Sequence, residues 1–184
     1  MTQLTEKIIF AGSMGSGKTT AIKSISEIEP VSTEVDNNDM AQSNKELTTM
    51  AMDFGTLTLS DESKLLLYGT PGQERLSFMW SVISDGALGV IILIDNSISD
   101  PFSNLDVYLE GFSNLINQSK AVIGITKSDL NDKVDVVAYH EHLKSKGLSI
   151  PVFTVDARKK EDVLTLLDGL ISLCESKYTL GEEI

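Results

Sequence analysis

Gly12-Ser13-Met14-Gly15-Ser16-Gly17-Lys18-Thr19 fits the pattern G-x-x-x-x-G-K-[ST] in full. Residues 7–11 (KIIFA) precede it and read as a buried strand. Residues 18–28, with Ile22 and Ile25 on one side, read as a helix that the motif opens. Phosphate binding needs that placement. Glycines let backbone N–H groups curl around phosphate oxygens, and the helix amino terminus adds the positive end of its dipole. Gly15, Ser16, Gly17, Lys18, Thr19 and Thr20 are the expected phosphate contacts, with Lys18 reaching the β- and γ-phosphates and Thr19 holding Mg²⁺. The motif alone selects neither ATP nor GTP, and neither a kinase nor a switch.

Outward from this loop, short apolar runs alternate with helical patterns. Residues 64–68, 88–94, 121–125 and 150–155 are branched runs of the kind buried in a parallel sheet. Residues 50–59 read as a further strand, turned into 64–68 by Ser60-Asp61-Glu62-Ser63, hence an antiparallel hairpin at the sheet edge. Helices are expected over 104–117, 135–145 and 161–176. In the last of these Val163, Leu166, Leu167, Leu170, Ile171 and Cys174 form one apolar stripe. The expected fold is α/β: a mixed six-stranded sheet with one antiparallel edge strand and helices on both faces. Residues 29–46 (EPVSTEVDNNDMAQSNKE) are polar and acidic without periodicity, and a loop of that length in a compact domain is expected to be functional.

Length and composition close off other classes. The 184 residues favour one domain, 1–184, and 41% hydrophobic with 23% charged residues is a globular balance. A net charge of −12 repels phosphate backbones and anionic lipid, so neither nucleic acid nor a membrane surface is an expected partner. Cys174 stands alone, so there is no internal disulfide and no cysteine-built zinc site. The longest apolar run, residues 87–94, is far short of a bilayer span. No signal-peptide layout opens the chain, Thr2 excludes myristoylation, and Cys174 lies too far from the end for prenylation. The expected location is the cytoplasm.

Tyr68-Gly69-Thr70-Pro71-Gly72-Gln73-Glu74-Arg75 follows a short buried strand and resembles the third motif of Ras-like small GTPases, D-x-x-G-Q-E. The resemblance implies a Gly72 N–H on the γ-phosphate and a Gln73 that orients the attacking water. Thr49-Met50-Ala51-Met52-Asp53-Phe54 is similar to the family's switch I, which implies that Thr49 closes over Mg²⁺. The switches are then residues 29–50 and 70–82. Thr126-Lys127-Ser128-Asp129 is similar to the guanine motif N-K-x-D. Its carboxylate accepts the guanine N1–H and 2-amino group, whereas adenine leaves it unpaired; such a site discriminates by about 10⁴ or more. Lys127 lies along the base, and Asp156-Ala157-Arg158 resembles the fifth motif, with the Ala157 N–H at guanine O6. The resemblance covers residues 7–174. Pro71 and the A-M-D-F-G run look like the bacterial and archaeal MglA-like group, which implies roles in polarity, motility or signalling and a roadblock-type regulator as partner.

The pattern breaks in three places. Gly69 stands where the family has a Mg²⁺-side aspartate, and Asp53 or an acid of the 29–46 loop is the candidate replacement. Met14 stands where eukaryotic Ras proteins favour glycine, and is expected to crowd Gln73 or an incoming arginine and slow hydrolysis. Thr126 replaces asparagine, which puts the bracing of the phosphate loop in question. The two arginines are Arg75 and Arg158, so no arginine can act from switch I. Slow GTP hydrolysis that depends on a partner is the expectation, with GTP or GDP bound and Mg²⁺ as cofactor. A non-hydrolysing GTP-bound scaffold is one alternative; a P-loop nucleotide kinase is another, weakened by the lack of an arginine-rich lid. His140 is expected packed or half-exposed, His142 solvated and Cys174 in the core. Leu76, Phe78, Met79 and Trp80 form either a partner-facing patch or a cluster docked on the domain's own sheet.

Overall fold

The computed structural model describes residues 5–32, 52–72, 77–118, 120–130 and 135–180. In chain order the elements are β1 (Thr5–Ala11), α1 (Lys18–Ile25), β2 (Val31–Ser32), β3 (Asp53–Thr58), β4 (Lys64–Gly69), α2 (Phe78–Ser84) and β5 (Ala87–Asp95). Then follow α3 (Pro101–Gly111), α4 (Ser113–Asn117), β6 (Ala121–Thr126), a 3₁₀ turn at Ser128–Leu130, α5 (Val136–Ser145), β7 (Val152–Thr154) and α6 (Lys160–Leu180). The sheet order is β2-β3-β4-β1-β5-β6-β7. The expected six strands are present, and the two-residue β2 adds a seventh at the edge, inside the segment read as a loop. The strand that runs against the others is β3, antiparallel to both β2 and β4.

Period-two alternation sends side chains of each strand to opposite layers. Ile8 and Phe10 of β1 face one side with Ile22 and Ile25 of α1 and Leu166, Leu167 and Leu170 of α6. Ile9 and Ala11 face the other, with Trp80 of α2, Leu105 and Tyr108 of α3, and Tyr139 and Leu143 of α5. Cys174 is buried in the first layer, as expected. The strands closest to the centre are apolar on both faces because helices cover both.

The helix Phe78–Ser84 has no counterpart in the sequence reading and α6 runs past Ser176 to Leu180; two other helices also differ. The first ends at Ile25, not Ile28, because Ser26 is extended and its hydroxyl is bonded to Ile28 O and Thr56 N, which ties the chain to β3. The single helix expected over 104–117 starts earlier and is broken. Asp100 caps its start by accepting the Ser103 N–H at 2.9 Å, and Pro101 occupies the first turn. Phe112 leaves helical geometry and stacks on Trp80 at 5.4 Å between ring centroids, so α3 and α4 separate there.

Trp80 is 1% exposed and also stacks on Tyr108 at 4.9 Å. Met79 is buried beside it, so these two dock on the domain's own core; Leu76 lies outside the described residues. Gly111 makes this possible, since a Cβ there would sit 2.3 Å from Trp80 Cε3. Gly111→Ala is therefore expected to destabilise. The indole is held by two other rings, so the overpacking cost belongs at the upper end of about 1–3 kcal/mol. That exceeds the roughly 1 kcal/mol that alanine returns in helix propensity. Thermal melts followed by circular dichroism should show a midpoint lower by several degrees; an unchanged midpoint would contradict the packing.

Candidate functional site

The chain leaves β1 at the point where sheet order reverses, between β4 and β5, and open α/β sheets bind ligands at the carboxyl ends of strands there. Gly12, Gly15 and Gly17 take φ of 146°, 78° and 100°, so the curl of the loop needs residues without a Cβ. At Gly12 space also demands it, because a Cβ would lie 2.3 Å from Leu93 O. Gly17 then caps α1 with no side-chain bond of its own, leaving the first N–H groups of the helix open to the loop. Lys18 turns back across the loop, its Nζ donating to Gly12 O at 2.7 Å and Ser13 O at 2.8 Å. Burial pushes its ammonium down to about 8, against the opposing pull of the Asp53 charge.

One residue along, Thr19 Oγ1 donates to Asp53 Oδ2 at 2.6 Å. Asp53 is 8% exposed at the start of β3 and pairs in register with Gly69 at the end of β4. A hydroxyl and a carboxylate oxygen at one spot, beside the phosphate loop, are the hard oxygen donors that Mg²⁺ takes, so these residues fit that ion. Gly72 lies against the loop from the β4 side; a Cβ on it would meet Met14 N at 2.5 Å. Met14 itself is 69% exposed.

A cleft of about 760 Å³ runs on from the loop. Gly15, Ser16, Gly17 and Thr20 line its near end. Thr126, Lys127 and Asp129 line the far end together with Asp156, Ala157 and Arg158. The two ends are joined by side chains. The buried Thr126 hydroxyl lies 2.9 Å from Ser16 O and 3.1 Å from Ile94 O. The loop bracing questioned at this position is thus present, made by a threonine that needs no longer side chain because the two segments touch. Ala157 packs against the loop as well, its Cβ 3.0 Å from where a Gly17 Cβ would be.

The family model described as "Conserved hypothetical ATP binding protein" matches residues 10–143. The chain belongs to this family. It is also similar to Ras-related small GTPases. Ras-related protein Rab-18 of Lymnaea stagnalis is 32% identical over 150 residues, 78% of this chain and 64% of that protein. Ras-related protein SEC4 of Saccharomyces cerevisiae is 27% identical over 135 residues, 71% of this chain and 62% of that protein. GTP-binding protein ypt1 of Schizosaccharomyces pombe is 30% identical over 123 residues, 64% of this chain and 60% of that protein. The chain thus spans less than two thirds of the length of these relatives. The G domain of the Thermotoga maritima FeoB iron transporter superposes with a TM-score of 0.63, covering 92% of this chain and 98% of that one at 19% identity, which shows the fold alone. A P-loop nucleotide-binding fold of Ras-like architecture accounts for all of these likenesses. Among the described residues, no helix is long and apolar enough to cross a membrane.

Most of the residues singled out from sequence meet around this one cleft. Thr49, Gln73 and Arg75 lie outside the described residues, and so does the expected crowding of Gln73 by Met14. Two partnerships were missed. Lys127 Nζ is held by Asp95 Oδ2 at 2.6 Å, at the carboxyl end of β5. Burial pushes the Asp95 carboxyl up, but hydrogen bonds from Lys127 and Ser97 outweigh it and hold the group below the usual range. A lone acid closing a buried apolar strand at the ligand edge was the available signal. Arg158 grips Asp156 with Nε at 2.8 Å and Nη2 at 2.7 Å, and approaches Asp129 at 3.6 Å. Those bonds hold the Asp156 carboxyl at about 2. The histidines are elsewhere. Of the packed and half-exposed alternatives for His140 the packed one fails, since it is exposed, and His142 is not simply solvated: its Nε2 lies 2.7 Å from Asp106 Oδ1, an acid that also pairs with Lys146.

Proposed function

We propose that the chain is a cytoplasmic GTP-binding switch, one G domain, that hydrolyses GTP to GDP and phosphate slowly and gains speed from a partner. The observation that carries this is Asp129, an exposed carboxylate at the end of the cleft opposite the phosphate loop, with Arg158 beside it. Guanine offers that carboxylate two donors, N1–H and the 2-amino group, and adenine offers neither. Ala157 contributes a backbone N–H for O6 and Lys127, steadied by Asp95, covers the base. At the phosphate end Lys18 and the N–H groups of Gly15, Ser16, Gly17, Thr19 and Thr20 absorb charge that develops on the γ-phosphoryl. Thr19, with Thr49 from switch I, would hold Mg²⁺, which adds positive charge at the β- and γ-phosphates. Gly72 donates its N–H to the γ-phosphate and Gln73 orients water, so loss of phosphate releases the segments 29–50 and 70–82.

With no arginine before Arg75, a finger must come from Arg75 or from outside. Ras-type enzymes without one turn over at roughly 10⁻⁴ s⁻¹, and a finger adds about 10³–10⁵-fold. The Pro71-Gly72-Gln73 sequence and the A-M-D-F-G run favour an MglA-like role in polarity, motility or signalling, with a roadblock-type protein as regulator. Two other readings have specific support: Gly69 favours a GTP-bound scaffold without turnover, and the description of the matching family favours ATP.

The test is single-turnover: purified protein with stoichiometric Mg·GTP or Mg·ATP, denatured at intervals over hours and its nucleotides quantified. GDP should accumulate slowly with ATP untouched. Retained, intact GTP would select the scaffold, and ATP turnover would overturn the reading of Asp129.

A further inference from the structure

The geometry points to Asp53 as the Mg²⁺-side carboxylate of this chain, supplied from β3 in place of the one that Gly69 lacks on β4. This rests on the nucleotide reading above and goes beyond it by assigning the missing charge. Asp53 and Gly69 are direct partners in the antiparallel ladder. A Cβ on Gly69 would fall 3.0 Å from both Asp53 Cβ and Asp53 Oδ2, and 3.1 Å from Ile22 Cδ1, so a side chain there would press on the Asp53 carboxylate. An aspartate at 69 would also face a like charge directly across the strands, which is destabilising. The pair therefore carries one carboxylate, and here it sits one strand over.

Among the described residues the Lys18 ammonium acts on it through its charge but makes no hydrogen bond to it. Among the described residues the Asp53 carboxylate accepts one hydrogen bond, from Thr19, although a carboxylate has about four acceptor sites. The nearby Lys18 ammonium is turned to the Gly12 and Ser13 carbonyls. A buried carboxylate with one neutral hydrogen-bond partner favours a cation. Holding the Thr19 proton has a second effect: it leaves the hydroxyl lone pairs for the metal, which makes Asp53 a positioning residue as well as a charge.

The experiment loads the full chain with a fluorescent GDP analogue, or the ADP counterpart if that is what the chain retains, and follows release as Mg²⁺ is titrated. Asp53→Asn keeps an acceptor for Thr19 and removes only the charge. It should raise the Mg²⁺ concentration for half-maximal retention about 10–100-fold, the usual cost of losing such a partner, with release in EDTA unchanged. The exchange Asp53→Gly/Gly69→Asp moves the carboxylate back across the pair and should restore the wild-type dependence. Melting curves of each variant show whether it is folded.

A wild-type Mg²⁺ dependence in Asp53→Asn overturns the proposal and leaves the nucleotide reading standing. Equal weakening with and without Mg²⁺ also overturns it, because that is the mark of a structural role. Wild-type protein that retains no nucleotide removes both.

Discussion

Lys18→Met should lower affinity for GTP by about 10³-fold or more while leaving the fold intact, the largest effect expected of any single change. Two or three hydrogen bonds from an ammonium to phosphate oxygens, each worth about 1.5–3 kcal/mol, are lost together. Stability should change far less, because two opposing effects meet at this side chain. Burial lowers the Lys18 pKa to about 8 from an ordinary value of 10.5, so the folded protein binds fewer protons than the unfolded chain between those values. The charged amine thus costs stability below about 8, and that cost is relieved as pH rises toward 10.5. Methionine keeps the stem without the charge, so relief of that cost opposes the loss of the hydrogen bonds to Gly12 O and Ser13 O, and the melting midpoint of the nucleotide-free variant at pH 7 should stay close to wild type. The same shift sets a pH dependence on binding. Phosphate draws the proton back onto Lys18, so wild-type affinity should decline as pH rises above 8 and the variant's should not. Equilibrium titration at pH 7 and pH 9 checks this; parallel slopes in the two proteins would reject Lys18 as the source.

Asp129→Asn should cost GTP at least about 10²-fold in affinity and turn the preference toward xanthosine triphosphate. The carboxylate only accepts, and guanine offers two donors to it. An asparagine amide has one acceptor and one donor, which leaves the guanine 2-amino group facing an N–H. Xanthine carries an N1–H beside a carbonyl and matches the amide. Arg158 stands 3.6 Å from Asp129 and keeps its stronger bidentate hold on Asp156 in the variant, so the cleft wall is expected to stay in place. Competition of GTP, ATP and xanthosine triphosphate for one fluorescent nucleotide gives the answer. Unchanged GTP affinity would mean that Asp129 does not read the base, and the adenine nucleotide implied by the family's description would then be the reading to pursue.

What was legible in the chain follows from local rules. Gly12 through Thr19 is contiguous, and its glycines, lysine and threonine have their meaning from spacing alone. The β3–β4 hairpin was readable because Asp61 accepts both the Ser63 N–H and hydroxyl, a turn built within three residues. The stripe of α6, Val163 to Cys174, is a periodicity that any helix must bury. Helix ends were less readable, because Ser26 and Phe112 stop α1 and α3 through contacts with Thr56 and Trp80, far off in sequence.

The sequence by itself therefore determined the P-loop, the α/β alternation and the kind of residue at each end of the cleft, since these depend on neighbours a few positions apart. Tertiary structure decided the pairings: Asp53 with Thr19 over Gly69, Asp95 with Lys127, and Thr126 with Ser16. Each joins segments 30 or more residues apart through a contact of 3 Å or less. No spacing rule carries such a distance. It is set by strand register and by the close packing of the sheet, and only the folded chain states it.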